Sequence, residues 1–418
     1  MLFRSPKSVS LVYARADDDL RSKILDAHDR SIEAALGHLE RYTLDQSVRR
    51  VSSENGIRTV KREAPRNIIA AKFQHRSSRE MDPQLHTHTL ILNLAERLDG
   101  SFGGIDVNQG YKEAKAIGAI YRSELASILE KELGFSVERD REFFRLSDVP
   151  YTVEKEFSKR RMQIEEAMEK RGWQGREASE KAALLTRGTK PNVDNDALLS
   201  VWQIQMDRLG FDRDDIEKMQ KKELSNNRDR SISGLVEEVV EKALIDLGMR
   251  ASTFTKEGLK TKFCEHAQTR LSASEIGAGF ENFREFKNLV ALGVDKSGRE
   301  RFTTVQIRQL EEGMVKDAKE LGQNKSQGMS KKKQQEYFRE YELFREKDYF
   351  NQFGQKREFS LQADQKKAAS HALSSGQLKI IDGVAGGGKS FTVGAVKLAF
   401  EAEGYRVRGM APTGKAAE

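Results

Sequence analysis

The sequence predicts an α+β fold for residues 1–150, with helices packed on an antiparallel sheet. Apolar runs with strand-like alternation are interleaved with segments of helical spacing, and three of the seven histidines fall on two neighbouring predicted strands. A third observation is a glycine-rich loop between a predicted strand and a predicted helix near the end of the sequence. That arrangement indicates the start of a P-loop α/β domain.

The predicted elements of residues 1–150 alternate between strands and helices. In order they are a strand at 8–14, a helix at about 19–42, two histidine-bearing strands, a turn at 100–104, a helix at about 111–133 and a strand at 143–146. The first helix carries Leu20, Ile24 and Ala27 near helical spacing, whereas Ser8 to Ala14 alternate as in a strand. Together these elements favour helices packed on one sheet.

Four further segments are predicted after residue 150. They are a helical charged extension at 151–232 with turns at Gly188–Pro191 and Gly210–Asp212, a winged-helix-like module at 233–318, a charged linker or extended helix at 319–358, and a partial P-loop domain at 359–418. Within the module at 233–318, Thr255 is expected to cap a helix, and residues 301–304 are expected to form a short strand. The last segment should contain strands at 378–382 and 405–410.

Composition favours a polyanionic partner. The chain has 418 residues, of which 37% are hydrophobic and 33% charged, and its formal net charge is +7. A basic balance of this kind fits nucleic acid, although a basic but otherwise ordinary protein would show it too. The single cysteine, Cys264, excludes internal disulfides and a cysteine-rich zinc site and fits a reducing compartment. No membrane insertion and no cleaved signal are predicted, so a cytoplasmic location is expected.

The three clustered histidines predict a metal site. His86 and His88 flank a single residue on one strand, so their side chains project from the same side of it. The preceding strand ends near His75, and the polar turn that follows brings the two strands together. Three imidazoles would then surround one point and leave coordination positions open, as suits a divalent ion such as Mg²⁺, Mn²⁺ or Zn²⁺. The alternative is that these histidines only fill hydrogen-bonding positions in a sheet.

The glycine-rich loop predicts a phosphate site. Its residues match G-x-x-x-x-G-K-[ST], and the proposed nucleotide-binding set is Gly383, Gly386, Gly387, Gly388, Lys389, Ser390 and Gln365. Backbone N–H groups of the loop would surround phosphate oxygens at a helix N-terminus, with Lys389 reaching the β- and γ-phosphates and Ser390 binding Mg²⁺. Gln365 could contact the adenine edge of ATP, or be an ordinary exposed glutamine.

Several motifs resemble one family. The sequence from Phe73 to His88 is similar to the three-histidine motif of MobF-type conjugative relaxases (TrwC/TraI-like). Further blocks with the same resemblance are 3–10, 26–30, 119–125 and 191–194, and residues 362–418 resemble the first part of the family's RecD-like helicase, with 411–417 matching the motif after the P-loop. Nearly the whole chain is covered, and the histidine and P-loop motifs are the specific ones.

The resemblance implies a fold and a function. The fold would be an HUH-type palm, an antiparallel sheet with helices, followed by the start of a RecD-like helicase. The family nicks single-stranded DNA at a transfer origin: a metal held by the three histidines polarises the scissile phosphate and a tyrosine attacks it, leaving a 5′-phosphotyrosine. The helicase part unwinds DNA with ATP and Mg²⁺, and other relaxosome or transfer proteins are expected partners.

The chain also departs from the family pattern. None of its nine tyrosines stands at a position that matches the nucleophile, and Tyr13, on the predicted strand at 8–14, is expected to be a packed or edge residue. The later helicase motifs would lie beyond Glu418. The sequence therefore predicts a fragment truncated at both ends, with no catalytic tyrosine. It should bind metal and DNA but be catalytically incomplete, with weak nucleotide binding.

Two other functions remain open at this point. One is a non-catalytic DNA-binding remnant or regulatory module that recognises transfer-origin DNA. The other is an ATPase unrelated to conjugation in which the histidines are incidental, although the spread of matches along the chain disfavours it. Tyrosines clustered upstream of Met1 in the reading frame would favour an enzyme over a remnant.

Overall fold

The computed structural model describes residues 1–54, 57–186, 195–220, 231–324, 328–384 and 386–410. Contacts divide the chain into two compact units, Met1–Val305 and Gln306–Glu418. The first unit therefore contains most of the first three predicted segments in one body. The division into five segments at 150, 232, 318 and 358 stays a prediction.

The first unit mixes strands and helices. In chain order its elements are β1 (Leu2–Arg4), α1 (Lys7–Arg15), α2 (Asp18–His38), a π-helical turn (Leu39–Thr43), β2 (Val48–Glu54), β3 (Ile57–Glu63), β4 (Asn67–Ser77), β5 (Pro83–Glu96), β6 (Phe102–Gly103), α3 (Asn108–Lys112), α4 (Ala114–Lys131), β7 (Val137–Asp140), β8 (Phe143–Leu146), α5 (Tyr151–Glu156), α6 (Lys159–Glu169), α7 (Arg176–Leu185), α8 (Asn195–Arg208), α9 (Arg213–Gln220), α10 (Ile232–Gly248), α11 (Lys256–Ala267), α12 (Ala273–Glu281), a 3₁₀ turn (Phe283–Glu285), β9 (Leu289–Val294) and β10 (Glu300–Thr304).

An antiparallel sheet lies at the centre of this unit. Its order is β1-β5-β4, and β6 pairs with β5, so the long strand β5 is flanked on both sides. Leu85, Thr87 and Thr89 of β5 are buried on one face, on the side of α1, α2 and α4. Side chains at the alternate positions of β5 face the other side and are half-buried or exposed. The predicted α+β arrangement of helices on an antiparallel sheet is confirmed.

The prediction of a strand at 8–14 is wrong, because these residues form helix α1. Pro6 stands at the N-cap, where its restricted φ suits a helix start. Every residue from Ser8 to Ala14 is buried, so the segment has no exposed face to reveal a helical period. The serines that suggested alternation accept hydrogen bonds from other elements: Ser8 Oγ from Leu146 N at 3.0 Å and Ser10 Oγ from Leu85 N at 3.1 Å.

Most other predicted elements of this region are confirmed, and several strands were missed. The helices near 19–42 and 111–133, the two histidine-bearing strands and the strand at 143–146 are present. The missed strands are β1, β6, β7 and the two-stranded ribbon of β2 and β3. The ribbon is rich in arginine, and apart from the buried Val48 at its start its valines are exposed, Val51 at 49% and Val60 at 55%. Its polar, charged alternation lacks the buried face that a strand usually shows.

Residues after 150 are helical, as predicted, and then form a small hairpin. Thr255 caps α11 by accepting a hydrogen bond from Gly258 N, and β10 includes the predicted strand at 301–304. Gly210 turns the chain with φ 71°, whereas the turn at 188–191 lies outside the described residues. Helices α10, α11 and α12 with the β9–β10 hairpin match the predicted winged-helix-like order, and α11 packs directly on α4.

The second unit is helical in the part that the structure describes. Its helices are α13 (Val305–Gln323, beginning at the last residue of the first unit), α14 (Lys331–Phe353), α15 (Ala363–Ala372) and α16 (Lys389–Ala402). A small core joins α14, α15 and α16 through Phe338, Tyr341, Ala369 and Ala395. The predicted extended helix in the charged segment is present as α14.

The predictions of strands at 378–382 and 405–410 are wrong. Both segments are described and neither is a strand, and the supposedly buried Ile380 is 76% exposed. A parallel strand is stable only between paired neighbours, and the described residues of this unit supply none. Across the described residues, every helix is too short or too polar to cross a lipid bilayer.

Candidate metal centre

The structure brings His75, His86 and His88 together on the outer face of the central sheet. His75 of β4 lies directly opposite His86 of β5, and His88 is two residues farther along the same face. The ring centres are 5.2 Å apart for His75 and His86, 5.5 Å for His75 and His88, and 5.4 Å for His86 and His88. Each imidazole is therefore an immediate neighbour of the other two.

This spacing matches what three ligands of one ion require. Imidazole nitrogens about 2.0–2.1 Å from a tetrahedral ion would place their ring centres roughly 5 Å apart. As the side chains stand, however, no group of three or more His, Cys, Asp or Glu residues in the described ranges has its donor atoms set for a metal ion. The three rings thus have the spacing of ligands that share one metal ion, but their side chains would have to rotate for the ring nitrogens to point at that ion.

His86 has the tautomer and charge of a metal ligand. Its Nδ1 lies 2.9 Å from the carbonyl oxygen of Gln84, which can only accept, so Nδ1 carries the proton and Nε2 keeps its lone pair. Burial is the main cause that lowers the pKa of His86 to about 4, and the nearby charge of Arg4 also lowers it. The ring is therefore neutral at pH 7, as metal binding requires.

A buried hydrogen-bonded network lies under the same strand. Thr87, between the two histidines of β5, points to the opposite face, where its hydroxyl is 2.9 Å from Nε2 of His28 on α2. Nδ1 of His28 is 2.6 Å from the hydroxyl of Tyr121 on α4. Burial lowers the pKa of His28 to about 4, so this ring too is neutral at pH 7. The network ties β5 to two helices and so supports the position of the histidines.

Helices of residues 151–208 hold the turn that joins the histidine-bearing strands. Asp82, only 1% exposed, accepts a hydrogen bond from Lys159 N at the start of α6 at 2.9 Å. Trp202 of α8 donates from its indole nitrogen to the carbonyl oxygen of Met81 at 2.7 Å. Lys7 donates to the carbonyl oxygen of Pro83 at 2.8 Å, and burial lowers its pKa to about 8. These contacts could not be predicted from the sequence, because nothing local relates the turn to distant helices.

The histidines lie among exposed apolar side chains. Leu2 of β1 pairs with His88, Phe73 of β4 pairs with the same histidine, and Leu90 is next along this face of β5. Their exposed fractions are 44% for Leu2, 52% for Phe73 and 60% for Leu90. Aromatic and aliphatic groups at the surface of a sheet suit stacking against nucleobases.

Two tyrosines near this part of the fold are packed in its interior. Tyr13, as predicted, is a packed residue at 1% exposure in α1. Tyr121 is fully buried, burial raises its pKa far above the ordinary value, and its hydroxyl contacts His28. Neither hydroxyl faces the outer side of the sheet as a nucleophile for DNA would have to.

The structure also gathers most of the predicted phosphate site. Gly386 and Gly388 have φ of 78° and 73°, a conformation that favours glycine, and α16 begins at Lys389 and Ser390. The Lys389 ammonium donates to the carbonyl oxygens of Gly383 and Val384, both at 2.9 Å. The loop is therefore curled at a helix N-terminus, with its lysine folded over it.

Gln365 lies against this loop. Its side-chain nitrogen donates to the carbonyl oxygen of Gly387 at 3.3 Å, and its side-chain oxygen accepts from the backbone of Gln362. Both ends of the amide are thus engaged within the protein. The predicted role at the adenine edge would require the contact with Gly387 to open.

Comparison with known families gives two matches. The TrwC relaxase family matches residues 1–209, which include every element that positions the three histidines. The AAA domain family matches residues 360–418, which contain the glycine-rich loop.

Curated relatives match over part of their length. The "Multifunctional conjugation protein TraI" of Escherichia coli is 30% identical over 227 residues, which are 51% of this chain and 12% of that protein. The protein of the same name from strain K12 is 28% identical over the same length. The chain thus spans about an eighth of the curated relatives it matches.

Solved structures were also found. A metal-free complex of conjugative relaxase TrwC with OriT DNA is 35% identical, covers 50% of this chain and 73% of that chain, and has a TM-score of 0.44. A metal-bound complex of the same relaxase with OriT DNA is 35% identical, covers 50% and 71%, and has a TM-score of 0.44.

Proposed function

The chain belongs to the TrwC relaxase family, and from that premise we propose that residues 1–305 bind a divalent metal and transfer-origin DNA as part of a conjugative relaxase/helicase. The observation that carries the proposal is the convergence of three imidazole rings, 5.2–5.5 Å apart, on the open face of the sheet. An ion held by three imidazoles keeps coordination positions open, and the oxygens of a phosphodiester can occupy them. A purely structural ion would have no such open positions.

The metal would be held by His75, His86 and His88. Neutral nitrogen donors accept Mn²⁺ and Zn²⁺ readily and Mg²⁺ less so, and all three ions are carried forward as candidates. Bound there, the cation would polarise a DNA phosphodiester and neutralise charge that builds on its oxygens. The chain itself fixes the positions of these ligands. The Gln84 carbonyl orients His86, and His28 is hydrogen-bonded to Thr87 on the opposite face of β5.

The ribbon of β2 and β3 supports a role in binding a base-paired part of the DNA. Its strands pair along their length, so that Ser53 lies opposite Arg58 and Arg50 opposite Lys61 on the alternate face. Arg50 and Arg62 already pair with carboxylates, whereas Arg58 and Lys61 have no ion pair with any other described residue. A two-stranded ribbon fits the major groove of a duplex, and unpaired cations on both faces can meet phosphates.

Single-stranded DNA is assigned to the histidine face. Phe73, Leu2 and Leu90 lie beside the imidazoles and are about half exposed. Phe73 can stack on a base and the two leucines can contact bases, while adjacent cationic groups bind the DNA phosphates. The predicted partner, single-stranded DNA at a transfer origin, is therefore retained as a proposal for this surface.

Removing the two free cations of the ribbon tests its role. For Arg58→Ala with Lys61→Ala, the slope of log affinity against log salt should fall by about 1.8, because each phosphate contact contributes about 0.9. The measurement is fluorescence anisotropy of a labelled DNA hairpin over a range of salt concentrations. Sequence context is unimportant here, since phosphate contacts are shared by all sequences.

The matched control removes two cations that already have partners. Arg161 of α6 and Lys170, the residue after α6, pair with Glu165 and Glu166 one turn away and are exposed. Arg161→Ala with Lys170→Ala should leave the slope close to that of the unmodified protein. If the ribbon variant had the same salt slope as this control, the ribbon would not be part of the proposed DNA interface.

Residues 359–418 are proposed to bind ATP with Mg²⁺, though weakly. The curled loop and the match to the AAA domain family support a phosphate site. The largely exposed segment at 378–384 does little to hold that loop in one conformation, so weak ATP binding is expected. Lys389→Ala should reduce the affinity for a fluorescent ATP analogue by at least about tenfold, as loss of a charged phosphate contact implies.

Lys397→Ala is the matched control for this site. It removes an exposed lysine from the same helix, two turns after the loop. Titration of both variants with the analogue and Mg²⁺ should leave only the first impaired. Equal affinities for Lys389→Ala and the unmodified protein would argue against phosphate binding by this loop.

Two further proposals follow from the family. Other relaxosome or transfer proteins are expected as partners, and a cytoplasmic place of action is expected. The one cysteine, Cys264, is a buried free thiol, which is compatible with a reducing compartment.

A further inference from the structure

Arg4 is a charged residue that the sheet places beside the histidine cluster. It ends β1 and lies directly opposite His86 of β5. Backbone hydrogen bonds join Ser5 N to Leu85 O at 3.0 Å and Thr89 N to Met1 O at 2.9 Å. Because hydrogen-bonded and non-hydrogen-bonded pairs alternate in an antiparallel ladder, Arg4 and His86 form a non-hydrogen-bonded pair, the kind in which side chains approach most closely.

The guanidinium of Arg4 has no counter-ion among the residues that the structure describes. Among the described residues it makes no ion pair and no hydrogen bond, whereas Arg15 pairs with Asp207 and Arg145 with Glu138 and Glu154. The cross-strand neighbours on its own face of β5 are His86 and, diagonally, Gln84 and His88, and none of them is a carboxylate. Arg4 is exposed on this face, and the surrounding atoms lower its pKa without removing the side chain from solvent.

Because Arg4 is exposed and the described residues hold no anion for it, its guanidinium is open to an anion supplied from outside the protein. The chemistry of the anion follows from the donor: a guanidinium presents parallel N–H groups that match two oxygens of a phosphate. The position of Arg4 beside His86 places such a phosphate over the histidine cluster rather than elsewhere on the sheet.

We propose that Arg4 is a phosphate-binding residue of the histidine site, whose guanidinium binds the non-bridging oxygens of a DNA phosphodiester lying against His86. This inference rests on the proposed function and deepens it by naming a second, metal-independent contact to the same phosphate. It also predicts a separation of roles: Arg4 contributes to DNA affinity and not to metal affinity.

The test compares Arg4→Gln and Arg4→Lys with the unmodified full chain. The probe is a fluorescein-labelled single-stranded thymidine oligonucleotide, titrated by anisotropy over a range of salt, once with Mn²⁺ and once with EDTA. Arg4→Gln should bind roughly tenfold more weakly in both conditions. Its salt slope should fall by about 0.7, the value for one contact to a single strand. Arg4→Lys should keep the slope but recover only part of the affinity, because it lacks the paired N–H groups.

Two controls make the outcome specific. Arg161→Gln removes an exposed guanidinium that is already paired with Glu165, and its salt slope should be unchanged. Mn²⁺ binding, measured by calorimetry without DNA, should be the same for Arg4→Gln and the unmodified protein. Circular dichroism and thermal unfolding check that the exposed position tolerates the change.

The outcomes separate this inference from the proposed function. If the unmodified protein binds Mn²⁺ and the oligonucleotide but Arg4→Gln has the same affinity and slope, the inference is overturned and the proposed function stands. If Arg4→Gln loses Mn²⁺ as well as DNA, Arg4 acts by shaping the metal site and the inference is again overturned. Absence of any DNA binding by the unmodified protein overturns both.

Discussion

Replacing His86 with alanine is expected to weaken binding of Mn²⁺ or Zn²⁺ by more than about 100-fold. Loss of a hydrogen-bonding partner of a metal ligand costs about 10–100-fold, and loss of the ligand itself should exceed that range. The donor nitrogen of His86 is set by a hydrogen bond from Nδ1 to the Gln84 carbonyl. It also lies within 5.4 Å of both other rings, measured between ring centres, so no neighbouring histidine can replace it without moving the strand.

Metal content after dialysis and calorimetric titration both measure this effect. His371→Ala, which removes an exposed histidine from α15 in the second unit, is the control and should keep full metal content. His88→Ala provides a second test on the same strand, since its ring is exposed and its loss should not disturb the core. Stoichiometric metal in both His86→Ala and His88→Ala would mean that the imidazoles do not form the metal site.

Replacing Glu113 with alanine should lower the free energy of unfolding of the first unit by about 3–5 kcal/mol, because it leaves a buried cation unpaired. Glu113 precedes α4, and its Oε2 lies 2.5 Å from Nζ of Lys260 on α11, with both side chains about 5% exposed. The hydroxyl of Thr43 donates to the same carboxylate at 2.8 Å. The pair therefore joins the winged-helix-like segment to the helices that carry the sheet, and its loss should be felt throughout the unit.

Urea unfolding followed by circular dichroism measures the loss. Glu132→Ala is the matched control: it breaks an exposed pair with Arg30, for which less than about 1 kcal/mol is expected. Glu113→Leu combined with Lys260→Met should recover most of the stability, because it removes both buried charges at once. Equal losses for Glu113→Ala and Glu132→Ala would show that the buried pair does not hold the two parts together.

The histidine-bearing hairpin could be predicted because its information is local. His86 and His88 are separated by one residue, and the strand period alone places them on one face. The turn after His75 contains polar residues and Pro83, so pairing of the two strands followed directly. The glycine-rich loop was equally accessible, since Gly386 and Gly388 adopt the positive φ that the motif implies.

The secondary structure of other elements could not be predicted, because it depends on the elements that pack against them. Residues 8–14 read as a strand, yet burial on all sides removes the periodicity that separates a helix from a strand, and α1 forms. Residues 378–382 are apolar enough for a buried strand, but no described strand lies beside them, and they stay exposed. In both cases the local pattern was ambiguous until the packing partners were known.

By itself the sequence determined which residues are proposed to do chemistry: three histidines at strand spacing, and a lysine and serine after a glycine loop. Ligand type and backbone period are properties of short segments, so no tertiary contact is needed to recognise them. Only the tertiary structure decided how these residues are supported, through Trp202 and Lys159 at the hairpin turn, His28 beneath β5, and Arg4 beside His86. Those contacts join residues far apart in the chain, and only packing of the whole unit brings such residues within hydrogen-bonding distance.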